Sequence, residues 1–267
     1  NGDQSDTLKF NEVTYSVGTS FEISKLTSLY ANYSTGFETP TFTEFANPSN
    51  NGSLGGFANV AAQRSNGFEI GIKGAFFEDS FFELVYYDID VEDEVTTVSN
   101  IGGRAFFNNA DTERKGVEIS FDVNLPSYLT LYGVYSYSDF EFVKFNNSPQ
   151  SIGSRLPGVP KHNGNLGLNF NHPGGFYLDV NWGHTGSIFT NNINTVRANQ
   201  YDLTNVLFGF TFELEKLTLN SRVGINNLFK QDYNQEIRIQ DATRRFFEPG
   251  PGRNFYGAIN LIYEFSK

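Results

Sequence analysis

The feature that most constrains this chain is a two-residue rhythm of apolar and polar side chains that returns in segment after segment. Near the C-terminus, Phe255, Gly257, Ile259, Leu261, Tyr263 and Phe265 fall on one face of an extended segment. Asn254, Tyr256, Ala258, Asn260, Ile262 and Glu264 fall on the other. A strand turns successive side chains to opposite faces, so this period predicts a strand with one face fit for lipid and one mostly for water. The same alternation sets Val13, Tyr15 and Val17 against Glu12, Thr14 and Ser16, and Val117, Ile119, Phe121 and Val123 against Glu118, Ser120 and Asp122. It recurs at Leu166/Leu168/Phe170, Phe176/Leu178/Val180/Trp182 and Val206/Phe208/Phe210/Phe212. The 28 Phe, 14 Tyr and 26 Gly suit strands and turns throughout.

Turn residues place strands at about 8–22, 26–38, 64–77, 81–98, 104–124, 127–143, 160–171, 175–190, 199–214, 217–231 and 253–266. Short turns at Ser24-Lys25, Glu78-Asp79, Leu125-Pro126, His172-Pro173-Gly174 and Glu215-Lys216 then alternate with longer links. Those are polar loops near 39–63, 144–159, 191–198 and 232–252, with a short link at 99–103. A soluble sandwich accounts for the single strands but not for this alternation. Short periplasmic turns and long outer loops are the pattern of an all-β, antiparallel transmembrane β-barrel of the outer membrane. A mean hydropathy of -0.37 does not oppose that, because only alternate residues of a barrel strand meet lipid. No apolar run approaches the roughly 18 residues of a membrane helix. About eleven strands leave the first and last running the same way, so more strands are expected upstream; one missed strand would make twelve, which could close alone. The chain opens Asn1-Gly2-Asp3 without a start residue or signal peptide and reads as a mature or truncated piece.

With no Cys, disulfides and thiolate metal sites are excluded. A net charge of -11 sets nucleic acid aside as a partner. The run Asp88 to Glu94 puts Asp88, Asp90, Glu92 and Glu94 on one face, where a hard cation could bind, but it lacks the turn Gly and closing Glu of a calcium loop and reads as a solvated strand end. His162, His172 and His184 lack metal-ligand spacing, and His184 and Ser187 fall on opposite faces, so neither a metal site nor catalysis is expected. Ligand capture, where it occurs, should use aromatics with Arg near the outer loops, which grip bulky anionic chelates. The residues of that kind are Arg104, Phe106 and Phe107 after one outer link, Arg197 at another, and Arg244, Arg245, Phe246 and Phe247 in the last long loop.

Six segments carry a family resemblance, in order along the chain. The stretch from Tyr30 to Phe45 (YANYSTGFETPTFTEF) resembles the mid-barrel pattern YxxYSxGFRAPTxxEL of TonB-dependent outer-membrane receptors, with Glu38 where that family usually has Arg. Asn66 to Gly74 (NGFEIGIKG) resembles xxYELGxKG, and Thr112 to Glu118 (TERKGVE) resembles xxxRxGVE. Leu156 to His162 (LPGVPKH) is similar to xPxxPKH, Val223 to Tyr233 (VGINNLFKQDY) to GVxNLFDxxY, and Phe247 to Tyr256 (FEPGPGRNFY) to the PGRNFY lead into the last strand. The family often stops on an aromatic residue; here Ser266 and Lys267 follow Phe265.

The resemblance implies a barrel of about 22 strands with an N-terminal plug that couples to TonB. On that reading residues 1–267 are the C-terminal part of the barrel, with the plug and earlier strands outside the chain. It implies an importer of a scarce nutrient, an iron–siderophore complex first among haem, cobalamin, other metals and oligosaccharides. The partners implied are outer-membrane lipid and lipopolysaccharide, the TonB complex through the plug, and a small-molecule metal chelate, with no resident cofactor. The alternative from the residues alone is a passive porin-like or self-contained small barrel without TonB coupling.

Overall fold

A computed structural model of the chain describes residues 9–45, 60–77, 79–101 and 104–265. Eleven antiparallel strands make one continuous sheet: β1 (Ser16–Ser24), β2 (Thr27–Glu38), β3 (Gln63–Gly74), β4 (Ser80–Ile101), β5 (Arg104–Leu125), β6 (Leu129–Lys144), β7 (His162–Asn171), β8 (Phe176–Thr185), β11 (Tyr201–Leu214), β12 (Leu217–Asn226) and β15 (Asn254–Tyr263). The outer connections add two small hairpins, β9 (Ile188–Phe189) with β10 (Arg197–Ala198) and β13 (Asn234–Ile237) with β14 (Phe247–Pro249). Each strand pairs with its neighbours in chain order, and β1 and β15 are the two edges of the sheet among the described residues.

Register turns the sequence alternation into two surfaces. Phe21, Leu29, Ile72, Leu84, Ile119 and Tyr135 are successive cross-strand partners from β1 to β6, and Leu168, Val180, Val206, Ile225 and Phe255 continue from β7 to β15. These side chains form an outward apolar belt, and Phe255, Ile259 and Leu261 remain 70%, 75% and 67% exposed. Such exposure would be a liability in water and is what a lipid-facing strand requires. On the other face, Ser20, Tyr30, Gly71, Val85, Glu118, Ser136 and Asn163 are partners in one row. This mostly polar face is the lumen.

Tyrosines stiffen the lumenal wall. Tyr30, Tyr87, Tyr132 and Tyr177 each lie over a glycine of the next strand: Gly71, Gly116, Gly167 and Gly209, where an added Cβ would meet the ring at 2.0–2.4 Å. Three of the hydroxyls reach one strand further, to Glu83 at 3.1 Å, Asp179 at 3.0 Å and Asn220 at 3.3 Å. Glycine leaves its strand without a packing side chain, and the overlying ring supplies one.

Several expected boundaries shift. The first strand begins at Ser16, not near residue 8: Tyr15 N–H donates to the Thr35 hydroxyl instead of a backbone carbonyl, while its own carbonyl still accepts from Thr35 N–H. The segment expected at 175–190 splits after Thr185, where Gly186 passes so close to His162 that a Cβ would lie 2.8 Å from its carbonyl oxygen. The segment expected at 217–231 stops at Asn226, since Asn227 takes φ 54° and its amide bonds across the turn to Gln231. Most of the loop read at 39–63, Glu78 of one short turn, and Ser266 and Lys267 lie outside the described residues.

Candidate functional site

The five side chains with the least exposure anywhere in the described chain, Phe142, Phe145, Thr112, Thr190 and Ser151, all belong to the outer end. A sheet with lipid on one side and a lumen on the other has no interior of its own, so close packing arises where the loops fold over. Phe142 and Phe145, their rings tilted with centroids 5.3 Å apart, pack with Ala110 and Leu156, and Val98 and Phe140 close the cluster.

Hydrogen bonds lock three outer connections onto it. Asn194 accepts from Arg155 N–H and donates to Arg155 C=O, both at 2.8 Å, while the Arg155 guanidinium lies 5.4 Å over the Phe189 ring. Gly158 N–H donates to Phe189 C=O at 2.9 Å, and Gln240 N–H to Thr190 C=O at 2.8 Å. Buried Asn192 donates to Thr97 C=O of β4 at 3.1 Å. The links 145–161, 186–200 and 227–253 therefore form one rim around the mouth.

The arginines and aromatics expected to meet a ligand sit on separate parts of this rim. Arg104 opens β5, with only its backbone described, and half-buried Phe106 and Phe107 follow on opposite faces of that strand. Arg197 is exposed in β10, opposite Phe189. Arg244, at φ 60°, and Arg245 are both exposed beside buried Phe246, whereas Phe247 is exposed at the start of β14. Asp241 fixes their turn by accepting from the Thr243 N–H at 2.7 Å and hydroxyl at 2.6 Å, and these donors hold its carboxyl below the usual range. The structure thus joins Arg244, Arg245 and Phe246 on one turn and leaves the other candidates on different connections.

Sequence reading missed the lumenal groups. Below the rim, a recess of about 380 Å³ is lined by Asn32, Ser34, Glu69, Tyr87, Arg114, Glu118 and Phe140 among others. Arg114 pairs with Glu94 at 2.7 Å and lies 5.8 Å over the Phe140 ring. Its Nε is buried with no hydrogen-bond partner among the described residues. Period-two counting places these residues on the inner face, but only the register shows which of them meet.

The acidic run differs from expectation. Asp93 has φ 56° and a bulge separates Val91 from Glu94, so Glu94 turns to the lumen, where Arg114 and the Thr112 hydroxyl meet it. Asp88, Asp90 and Glu113 do gather outside, with carboxylate atoms within 4.8 Å of one another. Lys115 already occupies that cluster, 2.5 Å from Glu113 and 3.7 Å from Asp88, and supplies the positive charge a cation would bring. His184 faces outward with its Nδ1 2.9 Å from Asp202 and Trp182 stacked beside it. His162 meets the Tyr135 hydroxyl at 2.8 Å, and His172 lies in a periplasmic turn edge-on to Tyr128.

A family model described as the β-barrel of TonB-dependent receptor-like proteins matches residues 1–228. An uncharacterized TonB-dependent receptor of Haemophilus influenzae is 23% identical over 166 residues, which cover 61% of this chain and 44% of that protein. Among solved structures, the unliganded ferric citrate transporter FecA superposes with a TM-score of 0.74 at 21% identity, over 93% of this chain and 38% of its own. The ferric-catecholate import receptor Fiu of E. coli K12 gives 0.72 at 18% identity, over 94% of this chain and 35% of its own. BauA, the ferric preacinetobactin receptor of Acinetobacter baumannii, gives 0.70 at 20% identity, over 94% and 36%. The chain spans less than half the length of each of these relatives, and at such identity the structures share its fold.

Proposed function

Because the chain belongs to the TonB-dependent receptor β-barrel family, we propose that it is the C-terminal part of a plugged barrel of about 22 strands that actively imports an anionic iron chelate. The barrel lies in the outer membrane, and its family and structural neighbours are transport receptors rather than enzymes. The cargo part of the reading is supported by FecA, Fiu and BauA, which are a ferric citrate transporter, a ferric-catecholate import receptor and a ferric preacinetobactin receptor. It is also supported by the exposed Arg244 and Arg245 on a turn fixed by Asp241 at the rim.

The observation that carries the proposal is an eleven-stranded sheet with an apolar belt, a polar lumen and two edges, β1 and β15, without partners among the described strands. An unpaired backbone edge in hydrocarbon costs several kcal/mol per exposed group, which favours further strands completing the wall. The lumenal carboxylates Glu69, Glu83 and Glu118 form no ion pair with described residues, which suits a basic plug surface as their counterpart.

Uptake tests the reading. Cells starved of iron and carrying the full-length receptor should accumulate radiolabelled iron from ferric citrate or a ferric catecholate, and should stop when TonB is removed. Uptake that continues at the same rate without TonB would mean a passive pore and contradict active import.

A further inference from the structure

The lumenal face is electrically divided. On β1, β3, β4 and β5 it carries Glu22, Glu69, Glu83, Glu118 and Asp122. On β7, β8, β11, β12 and β15 it carries mainly amides, including Asn165, Asn169, Asn181, Asn205, Asn220 and Asn260, with two carboxylates, Asp179, which accepts from the Tyr132 hydroxyl, and Glu213. The amides satisfy one another. Asn165 and Asn181 exchange two hydrogen bonds at 2.9 and 2.7 Å, and Asn220 donates to the Thr211 hydroxyl at 3.0 Å while accepting from Tyr177.

A single guanidinium, Arg222 of β12, stands on this amide wall within the described strands. Its register partners are Gly209, over which the Tyr177 ring lies, and Ala258, and it is exposed. It forms no ion pair with a described residue. The other lumenal cations are committed locally: Arg114 to Glu94, and Lys73 over the Tyr30 ring at 5.2 Å with Glu83 as its register partner.

An anion nearing the β1–β5 wall meets carboxylates and is repelled. One nearing the amide wall meets fewer carboxylates, Asp179 and Glu213, and, at Arg222, a planar fork of donors matched to carboxylate or catecholate oxygens. We propose that Arg222 is a foothold for an anionic metal chelate moving through the lumen, and that the chelate travels along the β7–β15 wall. This rests on the ferric-chelate reading above and adds to it a residue and a side of the lumen. The role is one of transit: Arg222 contacts cargo that has already been captured at the rim.

The test uses full-length receptor in cells, with radiolabelled ferric citrate and a ferric catecholate as probes. Surface binding is measured without TonB, uptake with it, and thermal unfolding on purified receptor. Arg222→Gln should slow uptake about tenfold, the effect of losing one charged hydrogen-bonded contact, with surface binding and the unfolding midpoint unchanged. Arg222→Lys should recover most of the rate because the charge is kept. Unchanged uptake by Arg222→Gln overturns the foothold while leaving the ferric-chelate reading intact. A lowered unfolding midpoint with binding and uptake lost together would make Arg222 a structural anchor and also overturn it. If the unaltered receptor carries neither probe, the ferric-chelate reading fails and the foothold falls with it.

Discussion

Tyr132 spans three strands: its ring lies over Gly167 of β7 and its hydroxyl donates to Asp179 of β8. A methyl on Gly167 would fall 2.0 Å from the ring, so Gly167→Ala must expel the tyrosine and give up that hydrogen bond as well. The expected cost is about 1–3 kcal/mol, as for overpacking elsewhere. Tyr132→Phe keeps the ring in place and should cost only about 1 kcal/mol. Urea unfolding of the lipid-reconstituted receptor should rank them in that order, and a larger loss from Tyr132→Phe would contradict the account. Asp241 makes a pH prediction. Its folded carboxyl is held below the usual range by Thr243, so its contribution is fully present above the unfolded value of about 3.9 and is lost as pH falls through the lower folded value. Hydrogen exchange at residues 241–246, corrected for its intrinsic pH dependence, should stay constant from about pH 7 to 5 and quicken only below about pH 4. Quickening near neutral pH would show that another group fixes the turn.

The strands were legible as elements because alternation is written in side-chain polarity, and all eleven segments expected from it correspond to the eleven strands of the sheet. Their ends were less so, since they are set by single backbone events: the bulge at Asp93, the left-handed turn at Asn227 and the close pass of Gly186 over His162. The rim was not legible. Asn191 to Asn194 reads as an ordinary polar loop, yet the amides of Asn192 and Asn194 bond backbone groups far away in sequence, and hydropathy carries no trace of such pairing. Asn194→Ala removes both bonds to Arg155, worth about 1 kcal/mol each. Trypsin cleavage after Arg155 in intact outer membranes should then rise about tenfold or more with the strands unchanged by circular dichroism. An unchanged cleavage rate would mean that the rim is held by its aromatic cluster alone.

At the scale of the whole molecule, a mean hydropathy of -0.37 and a net charge of -11 describe a chain that averages as water-soluble, while the register separates it into an apolar outer belt and a polar lumen. The average conceals the separation because the two faces cancel, residue by residue, along every strand. The lumenal site was harder to read than the belt: Arg114, Glu94 and Arg222 are distant in sequence, and only the pairing of β4 with β5, and of β11 with β12 and β15, shows which neighbours each one has. The most direct test of this two-faced wall exploits the absence of cysteine from the chain. Single cysteines placed in turn along β15, from Phe255 to Tyr263, would carry a nitroxide label in the full-length receptor reconstituted in lipid. The account predicts that labels at Phe255, Gly257, Ile259 and Leu261 collide with oxygen dissolved in the bilayer, whereas those at Tyr256, Ala258, Asn260 and Ile262 are shielded from it. Accessibility without that two-residue alternation, or water contact on both faces, would contradict it.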